Sequence, residues 1–175
     1  MIRALFPATF DPIHNGHIDI AERAVKLFDE IVVGVYEMPL KSLLLPTETR
    51  LRLVQETFKD ESKIKVVTYH GLTVDFCKAI DAQVIVRGLR VFSDFEYEFR
   101  MALANRQLAP LLETVSLITS KEHSFLSSTT VREVASLGGD VSSMVPKHVK
   151  QALADRFAEM TKNGESSYVA SPLRD

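Results

Sequence analysis

The sequence predicts a single-domain, doubly wound α/β fold, in which helices cover both faces of a five-stranded parallel sheet. Short apolar runs alternate along the chain with segments of helical periodicity, and this alternation is typical of such sheets. The run Ile31–Val35 contains no polar side chain, as expected of a strand that is buried on both faces. The five predicted strands are residues 2–6, 31–35, 64–68, 84–86 and 115–118.

The composition fits one globular domain without a nucleic-acid or membrane partner. A domain of 175 residues buries roughly 70% of its unfolded surface, so it needs no disulfides or metals to fold. The formal net charge of −2 disfavours a dedicated binder of nucleic acid. The chain opens with a strand instead of a secretion signal, and no apolar run approaches the roughly 20 residues of a membrane helix. We therefore expect a cytoplasmic protein, with a domain at residues 1–160 and a mobile polar tail at residues 161–175.

The first strand leads through a turn into a helix. Pro7 and the pair Asp11-Pro12 impose turns, because proline removes a backbone donor and fixes φ. Apolar residues recur at helical spacing from His17 onward, which places His14 and His17 on one face of the first helical turn. The free N–H groups of a helix N-terminus favour an anion, and Gly16 lets a ligand approach the backbone. The pattern His-x-Gly-His therefore predicts a phosphate site. The alternative is that one histidine caps the helix and the other packs against it, and the surrounding Thr9-Phe10-Asp11-Pro12 favours the phosphate site.

The second and third strands are followed by weaker signals. Lys41 lies in the loop after the second strand and could reach a phosphate, although a single loop lysine is usually solvated. The stretch that follows it, residues 42–46, is unusually apolar for such a loop. Cys77, the only cysteine, lies in an apolar helical pattern after the third strand. We expect Cys77 to be a buried small hydrophobe and not a nucleophile.

The fourth strand ends in the turn Arg87-Gly88-Leu89-Arg90. Two guanidinium groups on either side of a glycine could clamp phosphate oxygens bidentately. The alternative is that they pair with Asp94, Glu96 or Glu98 just downstream. We assign these carboxylates to orientation and salt bridging, on a helix for which Ser93 is the predicted N-cap.

The fifth strand precedes a hydroxyl-rich stretch, residues 119–130, and then another helix. Helix capping would need only one of these hydroxyl groups. Because several of them stand together with Arg132, we predict a second phosphate site here. No histidine or cysteine spacing predicts a zinc site, and we expect His70 and His148 to serve at the surface or in packing. Ligands of such sheets bind beyond the carboxyl ends of the strands, where all these candidate loops lie. Neither a dinucleotide-binding glycine motif nor a P-loop is present.

Taken together, these motifs closely resemble the phosphopantetheine adenylyltransferase family of nucleotidyltransferases, over residues 1 to about 160. The His-x-Gly-His and Ser-Ser-Thr elements are shared by the whole superfamily, whereas the Arg-Gly-Leu-Arg turn before Asp-Phe-Glu-Tyr-Glu points to this one family. The matching segments are Thr9–Pro12, His14–His17, Lys41, Gly71–Phe76, Arg87–Arg90, Asp94–Glu98 and Ser127–Thr129.

The resemblance implies a Rossmann-like nucleotidyltransferase that passes adenylate from ATP to 4′-phosphopantetheine, giving dephospho-coenzyme A and pyrophosphate. It implies Mg²⁺ carried by the ATP phosphates without protein ligands, and a homo-oligomer, specifically a hexamer. The implied residues for phosphopantetheine are Thr9, Lys41, Thr73 and Arg87. Those for ATP are Thr9, Phe10, His14, His17, Gly88, Leu89, Arg90 and Glu98, together with the loop residues His123, Ser124, Phe125, Leu126, Ser127, Ser128 and Thr129.

The chemistry of such a transfer needs positioning and charge stabilisation, because a substrate phosphate attacks in line and no protein nucleophile is required. His17, Lys41 and Arg90 are the predicted catalytic residues, which stabilise the charge on the transferring and leaving phosphates. The chain departs from the usual family pattern at Ala8, His14 and His123, where glycine, threonine and an aromatic residue are common.

Two other functions stay open. One is transfer to another acceptor, as in nicotinate mononucleotide adenylyltransferases or cytidylyltransferases, and the Arg87–Glu98 segment argues against it. The other is a non-catalytic ATP sensor, which could dispense with Lys41 or His17. Because both residues are present, the sequence favours an enzyme.

Overall fold

Five strands are present in the computed structural model, which describes residues 1–38 and 42–164 and gives Phe92 and Ser93 as backbone only. Lys41 and the residues from 165 onward therefore lie outside the described part. The strands are β1 Arg3–Ala8, β2 Glu30–Tyr36, β3 Ile64–Tyr69, β4 Val84–Leu89 and β5 Glu113–Ile118. Each contains or overlaps one predicted apolar run, so the five predicted strands are confirmed.

The strands form one parallel sheet in the order β3-β2-β1-β4-β5. The chain winds outward from β1 to one edge and then returns to continue from β4 to the other edge. The predicted doubly wound sheet is confirmed. The strand order reverses between β1 and β4, and a crevice opens beyond the carboxyl ends of the strands at such a point.

Six α-helices and one short 3₁₀ turn connect and flank the described strands. The 3₁₀ turn is Lys121–His123. The helices are α1 Asn15–Ala24, α2 Thr47–Thr57, α3 Thr73–Ala79, α4 Phe92–Leu108, α5 Ser128–Ser136 and α6 Lys147–Lys162. The last two residues of α6 fall within the predicted tail.

Two helix starts differ from the sequence prediction. His14 does not lie in the first turn of α1 but immediately before it, as an N-cap with extended backbone at φ −141°. The predicted N-cap Ser93 is wrong, because α4 begins at Phe92 after an extended Val91. The first turn is already closed there, since the N–H of Asp94 donates to the carbonyl of Val91 at 3.1 Å.

The core lies on both faces of the central strands. Phe6 and Val33 belong to a large cluster on one face, and Leu5 and Val32 belong to a smaller cluster on the other. Burial on both faces is confirmed for β2 but does not extend to the edge strand β5, where Ile118 is 73% exposed. No helix of residues 1–38 and 42–164 is both long and apolar enough to cross a membrane.

Cys77 packs in the smaller cluster and is 1% exposed. Burial raises the pKa of its thiol to about 12. The prediction that Cys77 is a buried small hydrophobe is therefore confirmed, because a nucleophilic cysteine needs its thiolate form.

Candidate active site

A cleft of about 520 Å³ opens beyond the carboxyl ends of β1 and β4, between the start of α1, the side of α4 and the start of α5. It brings together most of the predicted site residues. Those on its walls are Thr9, Phe10, His14, His17, Thr73, Arg87, Gly88, Arg90, Glu98, Ser127, Ser128 and Thr129. The predicted residues Leu89, His123, Ser124, Phe125 and Leu126 do not line the cleft, and Lys41 lies outside the described residues.

The start of α1 holds two stacked imidazole rings. The ring centroids of His14 and His17 are 3.7 Å apart, and the planes are nearly parallel at 25°. A Cβ atom at Gly16 would come within 3.1 Å of the His14 ring. A larger residue at this position would therefore press on the imidazole where it folds back against the first turn of the helix.

His14 is buried in its neutral form. It is 4% exposed, and burial, with the positive charges of Arg90 and His123, lowers its pKa to about 3. Its Nδ1 atom is buried, and no residue within 1–38 and 42–164 forms a hydrogen bond with it. The Nδ1 atom faces Gly16, 3.1 Å from the position that a Cβ atom would take there, so it is covered by the first turn of α1.

The proton of His17 is placed by its neighbours. Its Nδ1 atom accepts the backbone N–H of His14 at 3.3 Å. A neutral His17 therefore carries its proton on Nε2 and can donate a hydrogen bond with that atom. The ring of Phe10 packs edge-on against it with the centroids 4.9 Å apart, which fixes the plane of the imidazole.

The backbone after β1 makes a sharp turn at Phe10, whose φ of +52° lies in the left-handed region. A bulky residue is strained in this region, and such strain persists only where the surroundings enforce it. Phe10 is 1% exposed and packs against Phe6 as well as His17. Burial of its ring thus holds the neighbouring Thr9 at the edge of the cleft.

Arg87 is held by a carboxylate of α4. Its Nε and Nη2 atoms donate to the two oxygens of Glu98 at 2.7 and 2.6 Å, and its Nη1 donates to the carbonyl of Pro7 at 2.6 Å. The pairing that the sequence left as an alternative is therefore present. Three of the five N–H groups of the guanidinium are used, and two are left for a phosphate.

Arg90 is held in the same way by Asp94. Its Nε and Nη2 atoms donate to the carboxylate at 3.0 and 3.1 Å, and Nη1 donates to the carbonyl of Leu126 at 2.7 Å. The third candidate carboxylate, Glu96, instead pairs with Arg100 at 3.5 Å on the outer surface. The predicted salt bridging of the three carboxylates is confirmed, and the role of Glu98 as an ATP ligand stays a prediction.

The start of α5 presents hydroxyl groups to the cleft. Ser127 is the N-cap and accepts the backbone N–H of Thr130 at 3.0 Å. The hydroxyl of Ser128 donates to the carbonyl of Pro12 at 2.9 Å, which joins this helix to the turn after β1. As predicted, capping accounts for one hydroxyl, and the N-terminus of α5 still faces the cleft.

Arg132 does not belong to the phosphate site, and this part of the prediction is wrong. It is 5% exposed and points inward, where its guanidinium donates to the carbonyl of Asp11 and lies 3.5 Å from the Asp11 carboxylate. The physical reason is the buried charge of Asp11, which needs a cation inside the protein.

The segment before α5 is anchored outside the cleft. Asp19 of α1 accepts both the N–H and the hydroxyl of Ser120, at 3.1 and 2.7 Å. Ser124 donates back to Lys121 within the 3₁₀ turn, and Phe125 is 58% exposed. This anchoring keeps the segment against α1 and explains why these predicted residues are absent from the cleft wall.

The two remaining histidines lie away from the cleft. His70 pairs with Glu37 at 3.3 Å on the surface, and His148 forms hydrogen bonds with Thr57 and the carbonyl of Leu53. Their predicted roles at the surface and in packing are confirmed.

Arg50 holds a residue of the cleft wall in place, and sequence reasoning missed it. It lies on α2 and is completely buried, and its guanidinium donates to carbonyl groups that include that of Thr9. In the sequence it is one of two arginines in Thr-Arg-Leu-Arg, where surface charges are the ordinary expectation. The acceptors are backbone atoms, which no side-chain pattern encodes.

Within residues 1–38 and 42–164, no group of three or more histidine, cysteine, aspartate or glutamate side chains is placed to hold a metal ion. Asp94 and Glu98, the two carboxylates among the described residues that line the cleft, are engaged by arginines. The cleft thus offers donors suited to phosphate oxygens.

Comparison with known proteins agrees with this geometry. The family model described as cytidylyltransferase-like matches residues 5–134. The chain is also similar in fold to a crystal structure from Vibrio parahaemolyticus, named a candidate nicotinate-nucleotide adenylyltransferase, with a TM-score of 0.62 over 88% of this chain and 99% of that one. At 18% identity, this likeness concerns the fold alone.

Several curated relatives are much more similar in sequence, and each is named phosphopantetheine adenylyltransferase. The protein of Gloeobacter violaceus is 49% identical over 89% of this chain and 96% of its own length. That of Carboxydothermus hydrogenoformans is 48% identical over 88% and 95%, and that of Thermomicrobium roseum is 45% identical over 91% and 98%. The chain therefore belongs to the cytidylyltransferase-like family and, within it, to the phosphopantetheine adenylyltransferases.

Proposed function

We propose that the protein transfers the adenylyl group of ATP to 4′-phosphopantetheine, giving dephospho-coenzyme A and pyrophosphate, a step of coenzyme A synthesis. The observation that carries this proposal is the meeting of two helix N-termini, those of α1 and α5, with His17 and Arg90 in one cleft. Free N–H groups, an imidazole and a guanidinium together suit a polyphosphate. The relatives' shared name supports the choice of acceptor.

The reaction is a direct displacement. A phosphate oxygen of the acceptor attacks the α-phosphorus of ATP, a new P–O bond forms, and the bond between the α-phosphorus and the bridging oxygen breaks to release pyrophosphate. Cys77, the only cysteine, is buried with a raised pKa, and the mechanism requires no covalent intermediate on the protein. Catalysis rests on orientation and on stabilising the charge that develops on the phosphates.

His17 and Arg90 divide this work. His17 donates its Nε2–H to the transferring phosphate, because its Nδ1 already accepts the N–H of His14. Arg90, held by Asp94 and the carbonyl of Leu126, presents its two remaining N–H groups to the leaving pyrophosphate. Both groups are oriented before substrate binds, which is the condition for strong electrostatic stabilisation.

The two substrates occupy different parts of the cleft. ATP lies between the starts of α1 and α5, and the acceptor lies toward Thr73 and Arg87, with Thr9 between them. Lys41 stays a prediction as the third catalytic residue and as an acceptor ligand. The predicted ATP ligands that do not line the cleft also stay predictions, and ATP would have to extend beyond the cleft wall to contact them. They are Leu89, His123, Ser124, Phe125 and Leu126.

Mg²⁺ is proposed to enter with ATP. Among the residues that the structure describes, none form a carboxylate set for it, so phosphate oxygens and water would hold the ion, as is usual for Mg²⁺ with nucleotides. When bound, the ion would neutralise part of the triphosphate charge.

We further propose that the protein works in the cytoplasm as a homo-oligomer, specifically a hexamer, with α4 facing neighbouring copies. Large apolar side chains stand exposed along this helix. Phe95 and Phe99 stack on one another at 5.7 Å, and Leu103 is 53% exposed. These three apolar residues stand four positions apart, on one face of the helix, and an exposed apolar face is typical of an association surface.

The acceptor is tested by pyrophosphate release from ATP and Mg²⁺ with 4′-phosphopantetheine or nicotinate mononucleotide added separately. Release only with phosphopantetheine is expected. Release only with the other acceptor would keep the mechanism and change the acceptor, and tight ATP binding without release in either case would favour the ATP sensor.

The variant Arg87→Lys is the matched check, because loss of the two-pronged guanidinium should raise the KM for phosphopantetheine more than that for ATP.

A further inference from the structure

Arg50 is a completely buried cation whose five N–H groups all have acceptors. Nη1 donates to the carbonyls of Thr9 and Tyr36 at 2.6 and 2.8 Å. Nη2 donates to the carbonyl of Glu37 at 3.3 Å and to the hydroxyl of Thr47 at 2.8 Å. Nε donates to the carbonyl of Leu45 at 3.3 Å. Its side chain is therefore saturated with hydrogen bonds.

These acceptors come from three different segments. Thr9 belongs to the turn after β1, Tyr36 and Glu37 to the end of β2, and residues 45–47 to the start of α2. Thr9 and Tyr36 also line the cleft. One guanidinium thus joins two walls of the cleft and the helix behind them.

Asp11 adds a second connection between the same segments. Its two carboxylate oxygens accept the backbone N–H groups of Leu44 and Leu45, each at 2.9 Å. The strained Phe10 lies between the two anchored residues, Thr9 and Asp11. The turn that presents Thr9 to the substrates is therefore fixed on both sides by residues 44–50.

Arg50 makes no ion pair with a carboxylate in the described part of the chain. Its direct partners are carbonyl and hydroxyl oxygens. A buried charge is costly to desolvate, so an apolar side chain would serve better if filling space were the only requirement. Only a planar fork of donors can hold this many acceptors from separate segments at once.

We propose that Arg50 is a positioning residue for nucleotidyl transfer, which fixes the carbonyl of Thr9 against the end of β2 so that Thr9 meets the substrates in its productive orientation. The inference rests on the proposed contact of Thr9 with both substrates. Arg50 itself touches neither of them.

The test is a double-mutant cycle between Arg50→Lys and Thr9→Ala, read out by the affinity for a non-hydrolysable ATP analogue and by kcat and KM. In the parent protein, Thr9→Ala should weaken analogue binding and lower kcat/KM about tenfold. In the Arg50→Lys background, Thr9→Ala should lower analogue affinity and kcat/KM by less than about twofold, because Thr9 is no longer held in place. Arg50→Lys alone should lower kcat more than it raises either KM.

Arg3→Lys is the matched control. Arg3 is a part-buried arginine at the start of β1, at the other end of this strand from Thr9, and it donates to the carboxylate of Glu30 and the carbonyl of Ile80. Its effect should add to that of Thr9→Ala without coupling. If Thr9→Ala lowers analogue affinity and kcat/KM equally in the parent and Arg50→Lys backgrounds, the inference is overturned. Arg50 would then only stabilise the fold.

Two further measures keep the outcome decisive. If Arg50→Lys does not fold, Thr47→Val removes one acceptor of Nη2 from a half-buried position. The loss of analogue affinity and kcat/KM on Thr9→Ala should then be at least about twofold smaller in the Thr47→Val background than in the parent protein. An equal loss in both backgrounds would count against the inference. Analogue binding does not depend on the acceptor, so the cycle is readable even if pyrophosphate release shows the proposed acceptor to be wrong.

Discussion

His17 is the residue on which the proposed chemistry most depends. Its Nε2–H is set by the hydrogen bond from His14 N–H to Nδ1, and it serves the transition state more than the bound substrate. We expect His17→Ala to lower kcat by about 10²- to 10⁴-fold while ATP affinity stays within about tenfold. Steady-state kinetics and calorimetry measure the two effects, and His148→Ala, away from the cleft, is the control. Equal losses of affinity and turnover would remove His17 from this role.

His14 makes a separate prediction about pH and stability. Its pKa falls from 6.5 in the unfolded chain to about 3 in the folded protein, so the unfolded state binds more protons between these values. The free energy of unfolding should therefore fall as the pH is lowered from 7 toward 3, with a slope of up to about 1.4 kcal/mol per pH unit from this group.

The variant His14→Thr isolates this contribution. Urea unfolding between pH 7 and pH 4 should show the parent losing more stability than the variant, while the exposed His70→Gln should follow the parent. Parallel pH dependence of the parent and His14→Thr would show that His14 is not buried in its neutral form.

At the scale of elements, the start of α5 combines a structural cap with a binding surface. Ser127 satisfies the N–H of Thr130, and loss of such a cap costs about 1 kcal/mol. Ser127→Ala should therefore lower the free energy of unfolding by about that amount and also raise the KM for ATP, because the N-terminus of α5 borders the proposed nucleotide site. Denaturant melts and kinetics report the two effects. Ser136→Ala, at the far end of α5, should leave the KM for ATP unchanged, and a similar rise there would contradict the assignment.

The helices and strands also show where sequence patterns suffice. Apolar runs such as Ile31–Val35 locate the strands because burial on both faces demands continuous hydrophobicity. The clustering of His17 and Arg90 follows from the rule that loops at the carboxyl edge converge. The inward orientation of the Arg132 side chain cannot be predicted from this pattern, because it depends on Asp11, which is 121 positions away along the chain. Arg50 escapes prediction for the same reason, since its partners are backbone carbonyls of distant segments.

At the scale of the whole molecule, the exposed face of α4 predicts assembly. A charge at Leu103 should be expensive in an apolar interface and harmless on a free surface. Size-exclusion chromatography with light scattering should show the parent as an oligomer and Leu103→Glu as a smaller species, with Leu27→Glu, exposed elsewhere, as the control. A monomeric parent would contradict the proposed association through α4.

Direct transfer of adenylate is the central claim, and the fate of the α-phosphate tests it most directly. ATP labelled with ³²P at the α-position is incubated with the protein, Mg²⁺ and 4′-phosphopantetheine, and the products are separated. The mechanism predicts the label in dephospho-coenzyme A, with an equal amount of unlabelled pyrophosphate and no label bound to the protein. Label in free AMP or ADP, or attached covalently to the protein, would contradict it.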